Sequence, residues 1–213
     1  MDRSRLEAFS DGVFAVAITL LALNLTLVGP GHGISLSHQL GSHWPAFVAY
    51  LISFFTIGII WVNHHALIKS VTAVDRMLLY LNLVMLLFVV LIPFSTATAA
   101  EYLSSNDWDS RVAMALYAGV FLGMSIGFGG IFEWTLHGER VSQPVPPELR
   151  WSARIRFVGG AGVYAACIVI ALFNAYVAFV LMGLVAVYYM SEHPASPSSP
   201  AGPDSPDDGT AIG

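Results

Sequence analysis

Five polar side chains could hydrogen-bond to one another or carry a proton between the apolar segments of this sequence. Asp11 lies about two helical turns into the first apolar segment. Asn63, His64 and His65 lie near the end of the second segment, and Asn82 lies about two turns into the third. Histidine titrates near neutral pH, and a carboxylate inside a membrane costs on the order of 3 kcal/mol unless it faces protein or water. A shared polar network is therefore predicted, which either holds helices together or takes part in gating and proton sensing.

The two adjacent histidines do not form a recognisable metal site. Neighbouring side chains on a helix diverge by about 100°, and no second carboxylate accompanies His64 and His65 at the spacing of zinc ligands. Cys167 is the single cysteine, which excludes an intrachain disulfide and a cysteine metal cluster. We therefore expect no metal and no cofactor.

The elements that must position the polar residues are membrane helices. Of the 213 residues, 56% are hydrophobic and 11% are charged, and the mean hydropathy is +0.69. Soluble domains carry roughly a quarter charged residues, so this composition predicts an integral membrane protein. The 9 basic residues are scattered among predicted helix ends and form no nucleic-acid-binding face.

Hydropathy divides the chain into spans that are each long enough to cross a hydrocarbon layer about 30 Å thick. The last apolar stretch is too long for one span and is divided near Phe173-Asn174. Residues 28–42 and 137–150 are rich in glycine or proline and are predicted to be loops. The expected fold class is therefore an all-α polytopic membrane protein. Its six predicted spans are 5–27, 43–67, 74–99, 111–134, 151–173 and 174–190.

Basic residues predict which ends of the helices face the cytoplasm. The N-terminus, the connection between spans two and three, and the connection between spans four and five hold every Lys and Arg residue except Arg111. Short cytoplasmic loops are enriched in these residues, so both termini are predicted to be cytoplasmic. Residues 1–190 then form one six-helix domain, and 191–213 form a disordered tail rich in proline, serine and aspartate.

Small residues and one proline predict how spans three and four are built. Gly119, Gly123 and Gly127 recur every four residues, which allows another helix to approach closely. Pro93 lies late in span three, where it removes a backbone hydrogen bond. Hydroxyl groups such as those of Ser95 and Thr96 are expected to satisfy the carbonyl groups that this proline frees.

The first span has a nearly unbroken apolar face. Thr19 carries the single hydroxyl group on that face, whereas Glu7, Ser10 and Asp11 point away from it. Periodicity alone is typical of ordinary packing or lipid contact, so it does not assign a role to the face. Its members by helical spacing are Arg5, Phe9, Gly12, Val16, Thr19, Leu20, Leu23 and Leu27.

The segment Arg5-Leu6-Glu7-Ala8-Phe9-Ser10-Asp11 resembles the Arg-x-x-x-Phe-Ser-Asp signature of the transmembrane protein 175 family of potassium channels. The six spans, the cytoplasmic termini and the cluster of Trp61, Asn63, His64 and His65 are similar to that family as well. The resemblance covers about residues 3–190. It implies that nine residues form a signature and helix-anchoring network, namely Arg5, Phe9, Ser10, Asp11, Trp61, Asn63, His64, His65 and Asn82.

The resemblance also implies a homotetramer whose first helices line a central pore for potassium ions. The family places an apolar constriction and a hydroxyl ring on this helix. By position, Thr19 would form the hydroxyl ring, with apolar rings of Val16 and Leu23 on either side. Val16 is smaller than the isoleucine or leucine frequent there, which leaves the width of the constriction open, although Leu20 could compensate. The implied pore-lining residues are Val16, Thr19, Leu20, Leu23 and Leu27.

Three functions follow as alternatives. The first is a passive potassium channel in the cell membrane. The second is a proton-permeable channel or a proton-coupled carrier that uses Asp11, His64 and His65 as a relay. The third is a membrane-embedded enzyme or a scaffold that does not conduct, although the sequence offers an enzyme no converging nucleophile or metal set. Current down a gradient without coupling distinguishes a channel from a carrier.

Overall fold

The chain is all-helical in a computed structural model that describes residues 2–25, 35–103, 107–137, 140 and 147–191. The predicted all-α fold class is therefore confirmed. In these ranges the helices are α1 (Arg3–Leu23), α2 (Leu36–Ser42), α3 (Trp44–Ser70), α4 (Arg76–Tyr102), α5 (Trp108–Leu136), α6 (Pro147–Phe173) and α7 (Ala175–Ser191).

Each predicted span has a helix in the structure. Among the described residues, α1, α3, α4 and α5 are long and apolar enough to cross a membrane. Gly159–Phe173 and α7 are apolar but shorter, so the six-span topology stays a prediction. The predicted division of the last apolar stretch is confirmed, because Asn174 separates α6 from α7. Asn174 Oδ1 accepts a hydrogen bond from the Val177 N–H at 3.1 Å, which caps the start of α7.

Two segments that the sequence predicts as loops contain helix, and those predictions were wrong. Helix α2 lies within predicted loop 28–42, where Ser35 Oγ accepts a hydrogen bond from the His38 N–H at 3.3 Å. Helix α6 begins at Pro147, inside predicted loop 137–150. A serine cap and a proline at the first helical position both favour helix starts. Residues 26–34 and 192–213, which include most of the predicted tail, lie outside the described residues.

Helix α5 packs closely against α4 through its glycines. A Cβ atom on Gly127 would lie 2.8 Å from the Cα atom of Met85, and one on Gly123 would overlap the ring of Phe88. A Cβ atom on Gly119 would instead meet Ile168 of α6 at 4.0 Å. The predicted close approach is confirmed for Gly123 and Gly127, and the partner is α4.

The three basic segments meet at one end of the helices. Arg3 Nη1 donates hydrogen bonds to the carbonyl oxygens of Lys69 at 3.0 Å and Val71 at 3.3 Å. The Thr72 N–H donates to the carbonyl oxygen of Arg140 at 2.9 Å. The segments expected on one side of the membrane are therefore joined to one another. That this side is cytoplasmic stays a prediction.

Candidate functional site

A buried hydrogen-bonded cluster joins α1, α3 and α4. Asn82 Oδ1 lies 2.8 Å from His64 Nε2, and Asn82 Nδ2 lies 3.0 Å from Ser10 Oγ. Ser10 donates its proton to the carbonyl oxygen of Leu6 at 2.9 Å. Asn82 must therefore donate to Ser10 and accept from the His64 Nε2–H. The exposed fractions of Ser10, His64 and Asn82 are at most 1%, so this cluster is sealed from solvent.

A second pair of polar contacts joins α1 to α3 nearer the surface. Trp61 Nε1 donates a hydrogen bond to Asp11 Oδ1 at 2.8 Å, and His65 Nδ1 lies 2.8 Å from Glu7 Oε1. The rings of Trp61 and His65 stack with their centroids 5.9 Å apart. Asp11 is half-buried and Trp61 is 39% exposed, so these contacts line the rim of the α1–α3 interface.

The structure brings together some of the nine network residues but not others. Asn63 Nδ2 donates to the carbonyl oxygen of Ile59, one turn earlier on its own helix, at 2.8 Å. Arg5 and Phe9 are exposed, and within the described ranges they do not join the hydrogen-bonded cluster. The network therefore divides into an inner cluster of Ser10, His64 and Asn82 and a rim of Glu7, Asp11, Trp61 and His65. Glu7 is not among the nine residues that the resemblance implies.

The face of α1 opposite the cluster is exposed along the whole helix. Phe9, Val16 and Leu23 are 51%, 56% and 71% exposed, and Thr19 and Leu20 are exposed between them. Leu27 lies outside the described residues. The other side of α1 is buried against α3 and α4 through Leu6, Ser10, Phe14, Ala17 and Leu21. The structure therefore divides α1 into one packed side and one face that nothing in the described part of the single chain covers.

The Thr19 hydroxyl group donates its proton within α1 and is exposed. Thr19 Oγ1 donates its proton to the carbonyl oxygen of Val16 at 2.8 Å. The oxygen lone pairs therefore stay available as acceptors on the exposed face of α1. Val16, Thr19 and Leu23 rise along the helix at about 1.5 Å per residue, so Val16 and Leu23 lie roughly 10 Å apart along its axis. In the described part of the chain, no group of three His, Cys, Asp or Glu side chains could hold a metal ion.

Sequence analysis missed a second buried polar cluster. Ser53 Oγ lies 2.7 Å from both Thr96 Oγ1 and Tyr117 Oη, so it joins α3 to α4 and α5. All three side chains are buried. Serine, threonine and tyrosine are ordinary residues in apolar helices, and no local spacing signals that three helices bring these hydroxyl groups together.

Comparison with known proteins identifies the family. A family described as "Endosomal/lysosomal potassium channel TMEM175" matches residues 5–93. A potassium channel from Streptomyces collinus is 42% identical over 193 residues, which cover 88% of this chain and 91% of that protein. The chain belongs to the TMEM175 family. This confirms the resemblance that the signature segment indicates.

Two further TMEM175 comparisons agree in sequence and fold. A potassium channel from Chamaesiphon minutus is 41% identical over 144 residues, which cover 66% of this chain and 69% of that protein. The crystal structure of a lysosomal potassium-selective channel TMEM175 homologue from the same organism has a TM-score of 0.77 and 33% identity. That match covers 88% of this chain and 96% of the solved chain. The TMEM175 relatives are channels rather than enzymes.

Proposed function

We propose that the chain forms a potassium-permeable channel in the cell membrane, a homotetramer with α1 helices around a central pore and cytoplasmic termini. The observation that carries this proposal is the two-sided character of α1. One side is anchored by the inner cluster and the rim, whereas the other side exposes Val16, Thr19 and Leu23. A helix packed in this way can present one face to a symmetry axis while α3 and α4 hold it from behind. Potassium is proposed as the permeant ion because these two relatives are named potassium channels.

In the proposed pore, the apolar rings of Val16 and Leu23 control conduction. A ring too narrow for a hydrated ion excludes water and closes the pore, and a small tilt of the α1 helices widens it. The Thr19 oxygens lie between these rings and replace part of the hydration shell of the ion. Potassium then passes passively, without a cofactor.

A proton relay is the competing proposal, and the position of the titratable groups disfavours it. Glu7, Asp11 and His65 lie at one end of α1 and α3, and His64 is sealed in the inner cluster. Between Asp11 and Leu25 the sequence of α1 contains no titratable side chain. A relay across the membrane needs such groups or water along the whole path. The exposed face of α1 offers a path for a partly hydrated cation.

Val16→Ala is expected to raise single-channel conductance by roughly twofold or more, because a smaller side chain widens the ring and stabilises water inside it. The measurement is single-channel recording in a planar bilayer. Val84→Ala is the matched control, because Val84 is 46% exposed on α4 and its replacement removes the same two methyl groups. Equal conductance of Val16→Ala and the parent would exclude Val16 from the constriction.

Thr19→Ala is expected to shift the reversal potential in mixed K⁺ and Na⁺ toward the value of a non-selective pore. The reason is that the alanine ring cannot replace the water that the ion loses. Thr98→Ala is the matched control, because half-buried Thr98 likewise donates its hydroxyl proton to a carbonyl oxygen of its own helix, that of Phe94 at 3.0 Å. An unchanged reversal potential in Thr19→Ala would remove Thr19 from selectivity.

A further inference from the structure

In the described part of the chain, one side chain hydrogen-bonds the end of α1 opposite the basic segments to α4. Helix α1 ends at Leu23, and the next residue, Asn24, donates a hydrogen bond from Nδ2 to the carbonyl oxygen of Pro93 at 3.1 Å. The backbone N–H of Asn24 bonds within α1, to the carbonyl oxygen of Leu21. Among the described residues, the amide side chain is therefore the hydrogen-bonding link from this end of α1 to α4.

The carbonyl group that accepts the hydrogen bond from Asn24 lies in a segment of α4 that lacks one backbone hydrogen bond. Pro93 has no N–H, so the carbonyl oxygen of Val89 loses its helical partner. The hydroxyl groups of Ser95 and Thr96 do not replace that bond, because both donate to the carbonyl oxygen of Ile92, at 3.1 Å and 2.7 Å. The prediction that these hydroxyl groups satisfy the carbonyl group freed by Pro93 was therefore wrong.

A chain of buried hydroxyl groups fixes this weak segment to two other helices. Since Thr96 donates its proton to Ile92, Ser53 must donate to Thr96, and Tyr117 must donate to Ser53. Every hydroxyl proton then has an acceptor. The chain runs from α5 through α3 to α4 and ends one residue before Pro93, which makes this part of α4 a fixed anchor.

Among the described residues, the last turn of α1 packs on the bundle through Leu21, whereas Leu23 and Asn24 are exposed. A cavity of about 760 Å³ opens beside its last turn. Residues of α1, α3 and α4 line this cavity, including Leu23, Asn24, Trp44 and Thr96. The bond from Asn24 to Pro93 therefore lies beside this cavity, and its loss would remove the hydrogen bond that holds residue 24 against α4.

We propose that Asn24 is a positioning residue that holds the end of α1 back against α4 and so keeps the neighbouring Leu23 ring open. This inference rests on the proposed channel function. Leu23 is on the exposed face of α1, whereas α4 lies behind the helix. When the amide bond is lost, the apolar Leu23 side chains can bury one another on the pore axis, which narrows the pore. Ion selectivity depends on Thr19 and stays unchanged.

The first test is single-channel recording of Asn24→Leu in the full-length protein. Open probability is expected to fall about 2- to 10-fold, as the loss of one partly buried hydrogen bond predicts. The reversal potential in mixed K⁺ and Na⁺ is expected to equal that of the parent. Asn24 is exposed at a helix end, and Asn24→Ala, which adds no bulk, is expected to behave in the same way. Parental open probability in both variants would overturn the inference.

A second measurement separates this inference from the channel proposal. Leu23→Cys is introduced with and without Asn24→Leu, and cross-linking between subunits by a short bismaleimide is followed over time. The parent protein, whose single cysteine is Cys167, is the background control. We expect cross-linking in both proteins, at least about twofold faster with Asn24→Leu. Equal rates would overturn the role of Asn24 and leave the pore intact. No cross-linking in either protein would remove α1 from the axis and overturn the proposed pore together with this inference.

Discussion

Asn82→Leu is expected to lower the free energy of unfolding by about 2 to 4 kcal/mol and to prevent assembly of a conducting protein. Leucine is close to asparagine in size but offers His64 no acceptor and Ser10 no donor. Both partners are buried and now contact Asn82 at 2.8 Å and 3.0 Å. A buried polar group left without a partner costs its full desolvation energy, about 1 to 3 kcal/mol. The measurement is thermal unfolding in detergent together with the oligomeric state.

Asn63→Leu is the control for that prediction. Asn63 is on α3 one residue before His64, but within the described ranges its side chain donates only to the carbonyl oxygen of Ile59 on its own helix. Its replacement is expected to change the free energy of unfolding by less than about 1 kcal/mol. If Asn82→Leu assembled and unfolded like Asn63→Leu, the inner cluster would not be what anchors α1 to α3 and α4.

Gly127→Ala is expected to destabilise the protein by about 2 kcal/mol or more, because one added methyl group meets backbone rather than a movable side chain. Its Cβ atom would lie 2.8 Å from Met85 Cα and 3.0 Å from Met85 N. Helix α4 must therefore move away from α5, and the same helix carries Asn82 and Pro93. Reduced conductance is expected to accompany the lower unfolding midpoint.

Gly129→Ala makes the same change two residues away on α5. A Cβ atom there would meet nothing within 4 Å, so alanine is expected to be neutral or to stabilise the helix by up to about 1 kcal/mol. The difference in unfolding midpoint between the two variants separates the cost of the α4–α5 contact from the effect of alanine on helix propensity. Equal unfolding midpoints for Gly127→Ala and Gly129→Ala would show that the close approach of α4 and α5 contributes little to stability.

Local spacing explains which features the sequence predicts. The exposed face of α1 follows from helical periodicity, which depends only on residue spacing. The grouping of His64 with Asn82 follows from the similar depth of their positions in neighbouring helices, whereas Ser10 was placed with them only by the resemblance to the signature segment. The break between α6 and α7 follows from the length of an apolar stretch that one helix cannot use.

Contacts between distant residues explain what the sequence does not predict. Ser53 and Tyr117 are 64 positions apart, and Asn24 and Pro93 are 69 positions apart. Their pairing depends on how α1, α3, α4 and α5 pack. Arg5 and Phe9 belong to the signature segment but lie on the exposed face, since a motif groups residues along the chain while a helix separates them by about 100° per position. Glu7 belongs to the same segment but points away from the exposed face, so it can contact His65 of α3.

The proposed channel conducts potassium along the exposed face of α1. The most direct measurement is the reversal potential of the purified protein in a planar bilayer, with opposed K⁺ and Na⁺ gradients and with the proton gradient set in either direction. We expect a current that reverses near the potassium equilibrium potential and does not shift when the proton gradient is inverted. A reversal potential that follows the proton gradient, or no current from assembled protein, would contradict it.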